Sequence, residues 1–353
     1  MNMLFTNSHQ RRALLACLAL LASCGEPPAG DPGTGIVPLK FSVEVSPVAP
    51  TKAPPISGAE FPSGKYTLGL WICNHEATPS LFTPVMTGYG NLEANVDVTA
   101  DGPNMRYDWS YRVDGTTFYN TLGVRQGTNF DIYACHPHVP GAAKPTEIPF
   151  TSGQTDWMVA HHDNFATTPG QTEATANLTF SHVMTCIQVN ITCRYIGSVI
   201  LSKMTLIDTD GNGLYSSGKI NACTAPGPGS LVLDPATRAD RISIEPNATL
   251  NNYSTRSFYI IMPEVAWPDE VDDNELGRFV LSFVYNGTVD GEDVFPLPRT
   301  IRNTTNTDDV TINAFETGKC YIYNLRLDNQ IHFESMEVSD TWPETSTGIP
   351  LSL

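Results

Sequence analysis

The feature that most constrains this chain is a two-residue alternation of apolar and polar side chains that recurs along its length. Successive side chains of a β-strand point to opposite faces, so a strand with one buried face shows this period. The alternating stretches lie at residues 41–45, 68–72, 130–134, 187–191, 231–233, 242–244, 258–260, 279–283 and 321–327. No helical period of comparable strength follows the first 24 residues. The pattern therefore predicts an all-β protein.

The composition is typical of short strands joined by turns. Glycine and proline number 27 each, and only 16% of the residues are charged, against about 25% in an average soluble domain. Turn residues such as the pair Asn286 and Gly287 separate the apolar runs, which is typical of antiparallel β-sandwiches. A length of 353 residues leaves room for two such domains at about 100–200 residues each.

Charge and motifs narrow the classes of function. The formal net charge is −17, and such a chain repels phosphate backbones, so we expect no nucleic-acid partner. The sequence lacks the catalytic patterns G-x-S-x-G, H-E-x-x-H and G-x-G-x-x-G and the P-loop. We therefore predict neither an enzyme nor a cofactor.

The N-terminus has the pattern of an export signal. The basic pair Arg11 and Arg12 precedes an apolar run at residues 13–21, which is shorter than the ~20 residues of a membrane span. The run ends in Leu-Ala-Ser-Cys, which resembles a bacterial lipobox. We predict a lipoprotein signal peptide at residues 1–23, lipid on Cys24 that anchors the protein to the outer membrane, and a flexible Gly/Pro-rich tether at residues 24–36.

Six cysteines follow the predicted lipid site. They are Cys73, Cys135, Cys186, Cys193, Cys223 and Cys320. An exported chain of this kind has up to three disulfides, but strand cysteines also serve as small buried apolar residues. Both interpretations stay open at this point.

A break in composition divides the chain near its middle. Residues 167–172 contain no large apolar side chain. We place a domain boundary there, which predicts an N-terminal β-sandwich domain at residues 37–172 and a C-terminal one at residues 173–353.

Two kinds of polar cluster were weighed as metal sites. Asp208, Asp210 and Asn212 match the opening of a calcium loop, but Lys219 stands where a bidentate glutamate is needed. A tight turn explains the same residues, so these three are only a weak metal candidate and we predict no metal. The histidines at positions 136, 138, 161 and 162 are predicted to lie in loops, and His182 is predicted to be a hydrogen-bonded core residue.

Four segments carry a resemblance to a known family. They are the early strand of residues 37–45 with residues 51–53 and 61–71 after it, residues 156–160, residues 178–191 with a Phe-x-His pattern, and residues 318–325 with Val338 and Trp342 beyond. Their order resembles that of the fimbrillins, surface lipoproteins of Bacteroidales.

This resemblance implies a fold and an assembly mechanism. Fimbrillins have two tandem transthyretin-like β-sandwich domains, and their subunits polymerise into fimbriae when a protease removes the first strand and a neighbour's strand fills the groove. The partners implied are other fimbrial subunits by β-strand addition, together with host or bacterial surface ligands of an adhesin. On this chain, Phe41, Val43 and Val45 become the candidate strand plug.

The processing site departs from the family pattern. No arginine lies between Arg12 and Arg106, although fimbrillins cut by an Arg-specific protease carry one after the first strand. Lys52 is the best-placed basic residue, which makes it the candidate processing site. Either a protease of other specificity acts there, or the subunit is an uncleaved anchor.

A binding module is the alternative function. A surface lipoprotein that captures glycans needs exposed aromatic platforms. The candidate platforms are Trp71, Trp109, Trp157, Trp267 and Trp342. The sequence does not separate exposed from buried tryptophans, so both functions stay open here.

Overall fold

A computed structural model describes residues 35–45, 64–75, 82–101, 104–195, 197–211, 213–224, 230–267, 278–287, 291–301, 310–339 and 342. Strands dominate it, as the alternation predicts. Those of the first part of the chain are β1 (Ile36–Val45), β2 (Gly64–Asn74), β3 (Leu92–Asp101), β4 (Asn104–Arg112), β5 (Phe118–Tyr119), β6 (Leu122–Arg125), β7 (Asn129–His136), β8 (Ile148–Thr151), β9 (Met158–Ala166) and β10 (Ala174–His182).

Nine of these strands form one sheet that folds over on itself. Its order is β5-β4-β3-β2-β7-β9-β10-β1-β6. The last two residues of β10, Ser181 and His182, pair with β9, whereas its first seven residues pair with β1. Side chains from β1, β6 and β10 share one core with those from β2, β3, β4, β7 and β9. We call this sandwich of two layers the first sandwich.

The second part of the chain has shorter connections and more strands. They are β11 (Thr185–Cys193), β12 (Ser198–Asp208), β13 (Leu214–Tyr215), β14 (Ser217–Ile220), β15 (Leu231–Val232), β16 (Arg238–Ala239), β17 (Arg241–Ile244), β18 (Ala248–Asn251), β19 (Thr255–Met262), β20 (Val265–Ala266), β21 (Phe279–Gly287), β22 (Gly291–Pro296), β23 (Thr300–Ile301), β24 (Val310–Thr311), β25 (Ala314–Phe315), β26 (Cys320–Leu327) and β27 (Ile331–Ser339), with a 3-10 helix at Pro235–Thr237.

Two sheets of this part pack face to face as the second sandwich. One has the order β19-β11-β26-β27, and the other has the order β17-β12-β21-β22 with β18 also paired to β12. Their inner faces meet in a core that includes Ile187, Leu206, Phe283 and Tyr323. The alternation at residues 187–191, 279–283 and 321–327 corresponds to β11, β21 and β26.

A third core joins the two sandwiches. It contains Trp71 and Tyr133 from the first sandwich and Tyr259 and Ile261 from the second. Strand β8 adds Phe150 to this core and pairs with β14, which in turn pairs with β15. We call this third cluster of buried residues the junction core.

The backbone of β14 comes unusually close to β8 within the junction core. A Cβ atom at Gly218 would stand only 2.7 Å from the Phe150 ring, so the absence of a side chain at this position leaves room for the ring.

Strands β2 and β7 are buried on both faces because one face lies in the first core and the other in the junction core.

The all-β prediction is confirmed.

The pairing of β10 bears on the predicted domain boundary at residue 172. The connection 167–173 joins β9 to β10, and both strands belong to the first sheet. Within that connection Thr167 is buried and donates a hydrogen bond from Oγ1 to the Arg125 carbonyl at 2.7 Å. We therefore propose that the boundary follows His182 rather than residue 172.

Candidate first-strand site

Strand β1 lies between two strands that come much later in the chain. Its residues 39–45 pair in parallel with residues 174–180 of β10. Its residues 36–39 pair antiparallel with residues 122–125 of β6. The first strand is thus inserted into the sheet, and the part of it that faces β6 is shorter than the part that faces β10.

The inner face of β1 fills part of the first core. Phe41 and Val43 are 6% and 3% exposed, and the Phe41 ring lies 5.6 Å from the Trp109 ring and 6.2 Å from the Tyr111 ring, measured between centroids. Val37 and Leu39 are also buried, at 0% and 1% exposure. The alternation continues back to both residues, although the sequence analysis named only positions 41, 43 and 45 as plugs.

The outer face of β1 carries polar contacts to β10. Lys40 Nζ lies 2.5 Å from Glu173 Oε2, and both side chains are about half exposed. The Ser42 hydroxyl donates a hydrogen bond to Asn177 Oδ1. From residue 39 to residue 44 the strand therefore presents apolar groups to the core and polar groups to solvent, whereas the earlier outer positions Ile36 and Pro38 are apolar and half-buried.

Several predicted site residues lie outside the described part of the chain. These are Cys24, Lys52, Asn212 and the side chain of Val45. The backbone of Val45 pairs with Phe180 in the register of β1 and β10. Lipidation at Cys24 and processing at Lys52 stay predictions.

The candidate calcium loop is closed by an arginine. The Asp208 side chain is fully buried and accepts hydrogen bonds from Arg278 Nε at 2.9 Å and Nη2 at 3.1 Å. It also accepts the Gly213 amide at 2.7 Å, while Asp210 is 66% exposed. The guanidinium neutralises the buried carboxylate. The loop is therefore a turn that Arg278, the residue before β21, holds in place.

Three of the four histidines predicted to lie in loops belong to strands, whereas His138 lies in a loop as predicted. Two of them, His161 and His162, lie within β9, and His136 is the buried last residue of β7, so the loop prediction for these three is wrong. Burial lowers the pKa of His136, whose Nδ1 lies 3.2 Å from the Thr67 carbonyl oxygen. Pairing with β7, in which His161 lies opposite Tyr133 and His162 opposite Ile132, places these two histidines in the sheet.

The predicted core role of His182 is confirmed. Its Nδ1 lies 2.8 Å from Asp156 Oδ1, and the two side chains are 10% and 11% exposed. The ring also stacks on Trp342 at 4.1 Å between centroids, and Trp342 Nε1 donates to the Gly318 carbonyl at 2.9 Å. A residue beyond β27 thus packs against the end of β10.

The tryptophans lie in or against the cores. Trp71, Trp157 and Trp267 are at most 5% exposed. The half-buried Trp109 packs against the first core and stacks on Tyr111. With Trp342 stacked on His182, none of the five forms an exposed platform of the kind that glycan capture requires.

The six cysteines are free thiols, and only Cys223 is not buried. Burial raises the pKa of Cys135 and of Cys223 to about 12. A thiol with such a pKa is a poor nucleophile at neutral pH. Of the two interpretations, the structure favours small apolar residues of the strands for the five buried cysteines, whereas Cys223 lies in the turn after β14.

The described part of the chain holds neither a metal cluster nor a membrane-spanning helix. Within it, no group of three or more His, Cys, Asp or Glu side chains is arranged to hold a metal ion. No helix among the described residues is long and apolar enough to cross a membrane. The insertion of β1 between β10 and β6 is the structural feature that bears most directly on function.

Comparison with known proteins gives the following relationships. The sequence pattern described as fimbrillin-like matches residues 69–342, and no curated protein matches. A proposed cell adhesion protein from Bacteroides uniformis aligns with a TM-score of 0.51 at 14% identity, over 88% of this chain and 99% of its own. The tip fimbrial protein Mfa3 from Porphyromonas gingivalis, with a C-terminal truncation, aligns with a TM-score of 0.40 at 10% identity, over 87% and 100%. The Bacteroides uniformis likeness shows a shared fold.

Proposed function

This chain belongs to the fimbrillin-like family, a family of non-enzymatic fimbrial subunits, and from that premise we propose that it assembles by β-strand exchange. In this proposal it is a structural subunit or adhesin of a bacterial surface fimbria and is exported as a lipoprotein. Its partners are other fimbrial subunits, and its place is the fimbrium on the cell surface.

The observation that carries the proposal is the insertion of β1 between β10 and β6. A strand removed from that position leaves two rows of unpaired backbone groups and an open apolar cleft. Each large apolar side chain withdrawn from the core costs roughly 1.5–3 kcal/mol. A strand from another subunit restores both the main-chain hydrogen bonds and the apolar contacts, so exchange is favoured once the original strand is gone.

Removal of β1 requires a cut in the chain between β1 and β2. Lys52 is the candidate, because it lies in that connection and the described basic residues on either side lie within strands, Lys40 in β1 and Lys65 in β2. The adjoining residues 47–55 are rich in proline, which disfavours their pairing into a sheet.

A lipid on Cys24 places the subunit at the outer membrane before assembly. The proposal rests on the Leu-Ala-Ser-Cys sequence at residues 21–24. Cys24→Ala should release the protein from the membrane fraction, and Cys17→Ala is the matched control that should not. An unchanged membrane fraction together with an unmodified N-terminal peptide in mass spectrometry would contradict lipidation.

Strand exchange is tested by cutting the folded protein. A specific protease sequence placed at Lys52 allows cleavage of the mature chain after folding. We expect the uncut protein to stay monomeric and the cut protein to form a ladder of oligomers that resist mild denaturant. An excess of a peptide copying residues 36–45 should block the ladder, because it occupies the vacated position. A cut protein that stays monomeric and takes up no peptide would overturn the proposal.

A further inference from the structure

The core-facing side chains of β1 and β10 change in size in opposite directions along the two strands. The facing pairs are Leu39 with Ala174, Phe41 with Ala176, and Val43 with Leu178. All six side chains are at most 6% exposed and belong to one core. Along β1 the two larger side chains come before the smaller one, whereas along β10 two alanines come before leucine.

The two alanines leave the space that the larger side chains of β1 occupy. The Phe41 ring reaches across the sandwich to Trp109 and Tyr111, so a bulkier residue at position 176 would compete with it for that volume. One pair further along, the fully buried Phe180 faces position 45. The space that β10 leaves therefore narrows from position 174 to position 180.

We propose, resting on the strand exchange proposed above, that β10 selects the incoming strand and its register by side-chain volume. The occupant is a strand of a second protein chain, parallel to β10, with a large apolar residue opposite Ala174, an aromatic residue opposite Ala176 and a smaller branched residue opposite Leu178. A shift of one residue turns its apolar side chains to solvent. A shift of two preserves the faces but overpacks one pair and leaves a void at another.

The outer face adds little to this selection. Lys40 is 60% and Glu173 is 48% exposed, and exposed ion pairs contribute little to stability. Side-chain volume in the buried core therefore outweighs charge on the surface as the property that distinguishes one strand from another.

The first test uses the intact chain. The double variant Phe41→Val with Val43→Phe keeps the composition of β1 and the face on which each side chain lies, but it reverses the order of their sizes. It should reduce the folding equilibrium constant about 10-fold or more. Ala176→Leu with Leu178→Ala should restore more than half of that loss. If the effects of the β1 and β10 exchanges on the free energy of unfolding simply add in the fourfold variant, the proposed selection by volume is overturned. If the fourfold variant fails to fold, the milder pair Phe41→Leu and Ala176→Val gives the same comparison.

The second test uses the cut protein and two labelled peptides copying residues 36–45. The peptide in native order should bind about 10-fold or more tightly than the one with residues 41 and 43 exchanged, and Ala176→Leu with Leu178→Ala should reverse the preference. A Ser42→Ala peptide is the control that should bind like the native one. Equal binding of both orders overturns the selection alone, whereas uptake of neither peptide overturns strand exchange and the selection with it.

Discussion

Single side chains in this protein are fixed by partners that lie far away in sequence. Asp208 is fully buried, and its partner Arg278 comes 70 residues later. A buried carboxylate without a partner is costly, so this pair has a strong effect on the stability of the second sandwich.

Arg278→Ala should destabilise the protein by about 3–5 kcal/mol, because it leaves the Asp208 charge buried and unpaired. The matched control is Arg241→Ala, whose partner Asp240 is 50% exposed, and whose loss should change the free energy of unfolding far less than the loss of Arg278. Urea unfolding monitored by circular dichroism measures both changes. A rise in Tm when Ca²⁺ is added to the unmodified protein would contradict the turn interpretation of this loop.

The protein should lose stability as the pH falls below 6.5, the ordinary pKa of histidine. Burial lowers the folded-state pKa of His136, so below pH 6.5 the unfolded state binds the proton first. The contribution of this group is complete above pH 6.5, falls until the pH reaches the folded-state pKa, and amounts to at most about 2 kcal/mol between pH 6.5 and 5. His136→Gln should reduce the slope of urea midpoint against pH, and an unchanged slope would contradict this assignment.

At the scale of elements, β1 stabilises the first sandwich through four buried side chains, of which Phe41 is the largest. Phe41→Ala should destabilise the protein by about 3–5 kcal/mol, because it leaves a cavity beside Trp109 and Tyr111. Glu44→Ala is the control, since Glu44 lies on the same strand and is exposed, and it should change stability by less than about 0.5 kcal/mol. Differential scanning calorimetry measures the stability of both variants. Equal losses would show that the core-facing side chains of β1 do not stabilise the sandwich more than its exposed ones.

Some of the strands could be predicted from the sequence, but their partners could not. Alternation predicted β1, β2, β7, β11, β21 and β26, because each buries one face or both. The pairing of β1 with β10 joins residues such as Ser42 and Asn177 that are 135 positions apart, and no local pattern encodes it. The same limit explains the histidines: a run such as residues 161–163 is polar in sequence, but its place in β9 depends on neighbouring strands.

At the scale of the whole molecule, the junction core couples the two sandwiches. The unmodified protein should therefore unfold in urea as one transition, seen alike by tryptophan fluorescence and circular dichroism. Phe150→Ala removes a side chain that is 2% exposed and should separate the transition into two, because it weakens contacts that both sandwiches share.

The control for this experiment is Phe333→Ala, which truncates a side chain 43% exposed on β27. It should leave a single transition close to that of the unmodified protein. Two transitions in the unmodified protein would show that the junction core does not couple the sandwiches. The sequence did not predict this coupling, because Trp71 and Tyr133 belong to strands whose second face has no distinct period.

The position of β1 in the sheet has a consequence for the order of events during synthesis. The strand is made before the other described strands, yet residues 122–125 and 174–180, with which it pairs, are made much later. Contacts between distant parts of a chain also form slowly. The rest of the first sandwich therefore has time to form before β1 takes its place, and in that interval we expect the vacant position to accept a matching strand from another subunit.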